Sequence, residues 1–301
     1  MHYHTVSLTP GLYIVATPLG NARDISLRAL DVLASVDMIL CEDTRTSGKL
    51  MQIYGLGTRR VAYHEHNAAA MRPKILDWLA DGKSLALISD AGTPLISDPG
   101  MPLVRAARAA GYDVTAIPGA SAPIAALSIA GLPTDRFFFA GFLPPKQAAR
   151  RRSLDELAGL AATLVFFESA RRLPDLLADL QDLWPTRQIC VARELTKKFE
   201  EVITGSPAHL LAHFADTPAR GELVILVEAG QAAVMTDEDI ETMLRDALET
   251  MSRRDAVQSV TQVSGLPRKD IYARALNMDM TSKPDGPNKK KNSHDPTPDK
   301  S

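Results

Sequence analysis

Short apolar runs that alternate with helical patterns are the feature that most constrains how this chain can fold. Residues 10–122 contain four runs typical of buried strands: Leu12–Ala16, Met38–Cys41, Leu85–Ser89 and Val114–Ile117. A second series has predicted strands at Phe137–Phe139, Leu164–Phe167, Ile189–Ala192 and Leu223–Val227, and predicted helices near residues 151–160, 174–183 and 207–214. This alternation predicts an α/β fold with two halves of similar size, residues 10–122 and 123–232.

Three predicted helices in and just after the first half have distinctive sequences. The first follows Asp24 and Ser26, either of which is a suitable N-cap. The second begins near Pro102 and stops at Gly111. The third, Ala122–Ala130, is rich in small residues, which indicates close packing against a neighbouring element.

The character of the chain changes after residue 230. Residues 236–278 are polar and helical in pattern, and they contain a helix–turn–helix sequence: Arg254–Val263, a turn at Ser264–Pro267, and Arg268–Leu276. Residues 281–301 contain no aromatic or branched aliphatic residue, so they cannot bury a core. We therefore predict a helical accessory domain over 236–278 and a disordered tail over 279–301.

Composition excludes several classes of protein. The 34 basic and 36 acidic residues give a formal net charge of −2, so any contact with RNA must come from local basic patches. Cys41 and Cys190 are too few for a disulfide framework and lie in apolar runs, which predicts buried free thiols. Met1–Pro10 has no apolar signal-peptide region, and no apolar run is long enough to cross a bilayer. We expect a cytoplasmic protein.

Four loops follow predicted strands, and ligands bind at the carboxyl ends of strands in open α/β sheets. They are Thr17–Asn21, Ser89–Gly100, Ile117–Ala122 and the segment after Phe166-Phe167-Glu168. The second combines glycines and prolines with Ser, Thr and Asp, which favours a site for a small polar ligand over a run of tight turns. The phosphate-binding and dinucleotide-binding glycine motifs are absent from the sequence, and Ser121 lacks the glycine pattern of a hydrolase nucleophile.

Two polar segments and several basic patches are further candidates. Glu42-Asp43-Thr44-Arg45 and His64-Glu65-His66-Asn67 could be a metal site, solvated loops, or contacts to an acceptor substrate. Two histidines two residues apart on a loop are a weak metal signal, so we favour acceptor contacts and predict no metal. The basic patches are typical of solvated helix faces, although several could line one opening: Lys146 with Arg150–Arg152, Arg171-Arg172, Arg193 with Lys197-Lys198, and Arg268-Lys269.

A series of motifs in one order resembles the ribosomal RNA small subunit methyltransferase I family of the tetrapyrrole methylase superfamily. Residues 13–46 resemble its N-terminal signature. The other matching motifs are HEHN (64–67), LISDAGTPLISDPG (87–100), IPGASA (117–122), GFLPPK (141–146), ARELTKKFEE (192–201) and GELVILVE (221–228). The resemblance covers about residues 10–278.

The resemblance implies two α/β domains with S-adenosylmethionine in the cleft between them. It further implies a homodimer that methylates the ribose 2′-hydroxyl of a cytidine in the decoding region of 16S ribosomal RNA in the small subunit. The positions that match donor-binding positions are Pro18, Gly92, Thr93, Pro94, Ile96, Ser121, Ala122, Phe167 and Leu223. Relatives commonly have Gly-Asp-Pro where this chain has Gly92-Thr93-Pro94, and Glu-x-Pro-His-Arg where it has Ala170 and Arg171 before Arg172.

Methyl transfer to a hydroxyl requires positioning and is helped by a base. The candidate bases are Asp43, His64, Glu168 and Glu194. We expect Arg45, His66 and Asn67 to contact the acceptor, and Lys146, Arg172, Arg193 and Lys197 to hold the RNA backbone. Two other functions stay open: methylation of a precorrin by the same fold, and RNA binding without catalysis.

Overall fold

The computed structural model describes residues 3–230 and 237–281, which belong to two units, residues 1–232 and residues 233–301. Both α/β halves lie in the first unit, and the C-terminal helices lie in the second. Among the described helices, none combines the length and the apolar character that a bilayer span requires. The predicted α/β class is confirmed, with both sheets inside the first unit.

The first half is a parallel sheet with helices on both faces. Residues 3–130 contain its five strands in the order β3-β2-β4-β1-β5, namely β1 (Gly11–Val15), β2 (Met38–Cys41), β3 (Arg60–Ala62), β4 (Ser84–Leu87) and β5 (Val114–Ile117). Ile39 and Cys41 of β2 pack into one core, and Met38 and Leu40 pack into the core on the opposite face. Burial on both faces explains why β2 is a continuous apolar run.

Four helices cover these faces in pairs: α1 (Leu27–Ser35) and α2 (Thr44–Tyr54) on one, α3 (Glu65–Ala80) and α4 (Met101–Ala109) on the other. Ser26 is the N-cap of α1, and its Oγ accepts a hydrogen bond from Ala29 N at 3.1 Å. Asp24, the alternative cap, instead ends a short 3-10 turn, Ala22–Asp24. Pro102 lies in the first turn of α4, as predicted.

The second half is a mixed sheet. Residues 131–230 contain its five strands in the order β6-β7-β10-β8-β9, namely β6 (Phe137–Phe142), β7 (Thr163–Ser169), β8 (Ile189–Arg193), β9 (Glu201–Gly205) and β10 (Glu222–Val227). β6 and β7 are parallel, whereas the other neighbouring pairs are antiparallel. One face packs against α6 (Gln147–Leu157), α7 (Leu173–Leu183) and α8 (Pro207–Asp216).

Helix α5 (Ala122–Ile129) covers the other face of the second sheet. Its Ala126 and Leu127 share an apolar cluster with Val165, Val224 and Leu226 of the sheet. The close packing predicted from its small residues is confirmed. Cys41 and Cys190 are buried and free, also as predicted.

Two short strands and two helices of the first unit were not predicted, namely β3, β9, α2 and α3. The placement of His64–Asn67 on a loop is wrong, because His64 is the N-cap of α3 and the next three residues form its first turn. The Asn67 side chain accepts a hydrogen bond from His64 N at 2.9 Å, which stabilises that helix start.

The second unit contains three described helices: α9 (Asp237–Thr250), α10 (Arg253–Ser264) and α11 (Arg268–Thr281). The predicted turn between the last two is confirmed, with Gly265 in the left-handed conformation at φ 68°. Ile240, Val257 and Ile271 bring one residue from each helix into a shared core. Helix α11 continues three residues into the predicted tail, 279–301, and residues 282–301 lie outside the described part of the chain.

Candidate functional site

A cavity of about 320 Å³ lies between the two halves of the first unit. The first half contributes segments that follow the carboxyl ends of β1, β2, β4 and β5, and the second half contributes residues of β7, β8 and β10. Three of the four predicted loops therefore meet around one space, as expected for ligand sites of open α/β sheets, whereas beside the fourth only the strand residues Phe167 and Glu168 line it.

The loop between β4 and α4 is anchored to the end of β1. Thr17 N donates to Gly92 O at 2.8 Å, and Gly92 N donates to Thr17 O at 3.0 Å. Gly92 has a φ of +78°, and a Cβ at this position would lie 3.1 Å from Leu19 Cδ2. Leu95 and Ser97 also have positive φ values, 72° and 63°, without being glycine. The loop is held in a defined and partly strained conformation.

The same loop is joined to the segment before α5. Thr93 Oγ1 donates to Ala120 O at 2.9 Å, so its hydroxyl proton is used between two loops. Ser121 and Ala122 follow and line the cavity at the start of α5. The Thr93 side chain therefore stabilises the arrangement of these two loops.

The second half supplies an apolar wall. Phe167, Leu223 and Val224 line the cavity from the paired strands β7 and β10. The Phe142 and Phe167 rings have centroids 5.4 Å apart, and Phe142 is 59% exposed at the cavity edge. Phe166 is fully buried in the core, whereas the next residue, Phe167, lines the cavity.

Carboxylates are numerous around this cavity. Six of them line it: Glu42, Asp90, Asp98, Glu168, Glu194 and Glu222. Glu168 is 2% exposed and pairs with Arg172 at 3.2 Å, and Glu194 pairs with Lys197 at 3.0 Å. The lining as a whole favours a cationic ligand.

Asp98 is the most perturbed of these acids. Burial in the cavity wall raises its pKa to about 6, and the negative charges of Glu42, Asp90 and Glu222 act in the same direction. A hydrogen bond from the Ser89 side chain opposes the shift. Burial also raises the pKa of Asp90.

The two polar segments lie at neighbouring strand ends, because β2 and β3 are paired. Asp43 is the N-cap of α2, and its Oδ1 accepts from Arg45 N at 2.8 Å. Hydrogen bonds from the Arg45 backbone and side chain hold the pKa of Asp43 below its usual value. Neither Asp43 nor His64 is in the cavity lining, whereas the neighbouring Glu42 is. His66 is exposed and its ring centroid lies 6.0 Å from that of His64.

The predicted RNA-binding cations have different environments. Lys146 is exposed at the N-cap of α6. Arg172 is 22% exposed and donates to Leu143 O at 2.7 Å besides pairing with Glu168. Arg193 pairs with Glu201 and Lys197 with Glu194, so Lys146 is the one of these four cations for which no carboxylate partner is seen in the described residues.

Contacts beside the cavity join the two halves. Asn21 N donates to Thr196 Oγ1 at 3.1 Å, which links the segment after β1 to the segment after β8. A Cβ on Gly20 would overlap the Lys197 side chain, which therefore packs directly over that backbone. Glu194 and Thr196 both have positive φ values in this segment.

The predicted donor-binding residues are mostly brought together. Seven line the cavity: Gly92, Thr93, Ile96, Ser121, Ala122, Phe167 and Leu223. Pro18 and Pro94 are buried beside it without lining it. Glu42, Asp90, Asp98 and Glu222 also line the cavity and were not among the predicted catalytic or donor-binding residues, although all four lie within the motifs of the family resemblance. Within residues 3–230 and 237–281, no three His, Cys, Asp or Glu side chains are grouped as a metal site would require.

Comparisons with known proteins agree with this architecture. Residues 11–211 match the family model described as Tetrapyrrole (Corrin/Porphyrin) Methylases, and residues 234–279 match the one described as RsmI C-terminal HTH domain. The chain is 50% identical over 278 residues to Ribosomal RNA small subunit methyltransferase I of Erythrobacter litoralis, covering 92% of this chain and 99% of the relative. The protein with the same description from Mesorhizobium japonicum is 47% identical over 278 residues, covering 91% and 94%.

A solved structure shows the same fold at low identity. Uroporphyrin-III C-methyl transferase from Thermus thermophilus, complexed with S-adenyl homocysteine, matches with a TM-score of 0.52 and 17% identity. The match covers 72% of this chain and 97% of that one.

Proposed function

We propose that this chain, which belongs to the tetrapyrrole methylase family and within it to the ribosomal RNA small subunit methyltransferase I proteins, methylates small-subunit ribosomal RNA with S-adenosylmethionine. The finer proposal is that the acceptor is the ribose 2′-hydroxyl of a cytidine in the decoding region of 16S RNA. The cavity between the halves carries this proposal, because it joins an ordered polar loop, an apolar wall and an excess of carboxylates. The relative solved with S-adenyl homocysteine supports the choice of donor.

The residues present suit that donor. A sulfonium and an ammonium group are positive, and Glu42, Asp90 and Glu222 supply negative charge at the cavity. Phe167 and Leu223 offer an apolar surface to a planar ring, while the Gly92 backbone can approach a ligand closely because it lacks a side chain. We assign donor binding to these residues together with Thr93, Ile96, Ser121 and Ala122. Pro18 and Pro94 support the loops from behind.

The donor supplies an activated methyl group, so the chain must mainly position the acceptor and exclude water. We assign acceptor contacts to Arg45, His66 and Asn67, which lie in the helices that follow β2 and β3 and outside the cavity lining. Lys146 supplies outward charge for the RNA backbone, and Lys197, which pairs with Glu194 yet is 39% exposed, is a second proposed contact. The ion pairs of Arg172 and Arg193 favour a supporting role for both, in place of a direct phosphate contact.

The decisive assay uses labelled S-adenosylmethionine and purified small subunits that lack the modification. We expect label in 2′-O-methylcytidine after digestion to nucleosides. Label in a base or in another nucleoside would overturn the finer proposal, and absence of label despite donor binding would overturn the RNA assignment. Label in a precorrin, offered in parallel, would support small-molecule methylation instead.

Donor binding to the free chain is measured separately by calorimetry. We expect Phe167→Ala to weaken it, because the ring forms part of the apolar wall. Phe137→Ala is the matched control, since Phe137 is on the edge strand β6 and outside the cavity lining. Failure to bind the donor would leave RNA binding without catalysis as the function. The proposal includes a cytoplasmic homodimer, and sedimentation of the full chain tests the dimer.

A further inference from the structure

We propose that Asp98 is the group that accepts the proton of the acceptor hydroxyl during methyl transfer, an assignment that rests on the proposed function. Asp98 lies in the strained loop between β4 and α4, one residue after Ser97 with its φ of 63° and two before Gly100 with its φ of 143°. This backbone fixes the direction of the carboxylate at the cavity wall.

The other acids of the cavity are less suited to the role. Glu168 and Glu194 each form an ion pair, with Arg172 and Lys197, so their negative charge is already matched by a cation. The side chains of Glu42, Asp90 and Glu222 belong to exposed residues, whereas Asp98 is half-buried. Asp98 is therefore the cavity carboxylate that combines shelter from water with the lack of a dominant cationic partner.

The surroundings of Asp98 favour proton uptake near neutral pH. The charges that act on it most strongly come from Glu42 after β2, Asp90 after β4 and Glu222 on β10, and all are negative. With burial, they raise its pKa to about 6. A base whose pKa is close to the working pH is the most effective proton acceptor.

Charge balance gives a second reason. The ribose oxygen forms its bond to the methyl carbon as the bond between that carbon and the donor sulfur breaks, and the hydroxyl proton passes to an Asp98 carboxylate oxygen. The sulfonium thus becomes a neutral thioether while the carboxylate becomes a neutral acid. Because two opposite charges disappear together in a partly desolvated site, the products need no new counter-charge. The proton then leaves to solvent.

Asp98→Asn tests the assignment, because it keeps the size of the side chain and removes its basicity. With saturating donor and small subunits, we expect kcat to fall on the order of 100-fold or more, in the range typical of lost general-base catalysis. Donor affinity, measured by calorimetry on the free chain, should fall by less than about tenfold, since one of several carboxylates is removed. Asp81→Asn is the control and should keep wild-type kcat. Asp81 is exposed and lies between α3 and the amino end of β4, whereas the cavity is at the carboxyl ends of the strands.

Two further measurements distinguish catalysis from structure. Carboxyl 13C NMR of the free chain should show Asp98 titrating near pH 6, and Glu42→Gln should shift that titration to lower pH by removing a negative neighbour. The acidic limb of the profile of kcat against pH should likewise lie at lower pH in Glu42→Gln than in wild type.

The outcomes separate the two proposals. If wild type methylates the subunit and Asp98→Asn keeps kcat within about threefold, the assignment of Asp98 is overturned and the proposed function stands. A loss of donor affinity as large as the loss of kcat would also overturn it and make Asp98 a donor-binding residue. If wild type itself transfers no methyl group to RNA, the proposed function fails, and the assignment fails with it.

Discussion

Replacing Gly92 by alanine tests whether the loop between β4 and α4 needs its unusual backbone. At a φ of +78°, an alanine costs about 1 kcal/mol more than glycine. The new Cβ would lie 3.1 Å from Leu19 Cδ2, and moving that side chain off its preferred rotamer adds about 1 kcal/mol. The lower entropy of the unfolded alanine chain offsets about 0.5 kcal/mol, which leaves a net loss of about 1.5 kcal/mol.

This loss corresponds to a melting temperature lower by about 3 to 6 °C for a unit of this size. Calorimetric melting of the full chain measures it, with Gly57→Ala as the matched control. Gly57 is exposed, has no positive φ, and a Cβ there meets nothing within 4 Å. Its replacement should therefore leave stability unchanged or raise it by up to about 1 kcal/mol.

Gly92→Ala should also weaken donor binding several-fold, because the displaced Leu19 lines the same cavity. Equal melting temperatures for the Gly92 and Gly57 variants would refute the reasoning about backbone strain. A normal donor affinity in a destabilised Gly92 variant would show that the loop conformation is not required for binding.

Three other predictions concern charged side chains. Asp179→Asn should destabilise the first unit by about 3 kcal/mol in urea unfolding, because it leaves the buried Arg150 guanidinium without its carboxylate partner. The exposed Asp182→Asn should change stability by less than about 0.5 kcal/mol. The raised pKa of Asp98 means that folding takes up a proton, so its ionisation should lower stability as pH rises from about 4 to about 6. Asp98→Asn should then melt above wild type at pH 8 and match it near pH 4, and equal melting at both pH values would contradict the shift. Arg172→Ala should mainly lower the melting temperature, because Arg172 pairs with the buried Glu168. Lys146→Ala should leave the melting temperature unchanged and reduce the salt dependence of RNA binding. The reverse pattern would make Arg172 the RNA contact and Lys146 the supporting residue.

The parts of the fold that are decided locally could be predicted from the sequence. A strand buried on both faces is a continuous apolar run, so β2 was predicted at its observed bounds. A hydroxyl before a helix satisfies a free backbone N–H, so Ser26 was a predicted cap. By contrast, β3 and β9 are only partly buried, so they lack the continuous apolar signal that identifies a buried strand.

The donor side of the candidate site could be proposed because its residues belong to a few loops, each continuous in sequence. Gly92 and Ser121 follow strands of the first sheet, Phe167 lies near the end of β7 in the second, and all three line one cavity. The acids were not named for a physical reason: a carboxylate on a loop is ordinarily solvated, and the burial and negative neighbours of Asp98 come from groups that are distant in sequence, such as Glu42 and Glu222.

The sequence by itself determined the α/β alternation, the helix–turn–helix after residue 237 and the loops that could bind a ligand, because each depends on neighbouring residues. Only the tertiary structure decided that β10 lies between β7 and β8, and that Glu222 therefore reaches the same cavity as Glu42. It also decided that Arg172 pairs with a buried glutamate while Lys146 stays exposed. Burial and charge at a site depend on residues far apart in the chain, and local sequence contains no signal for that proximity.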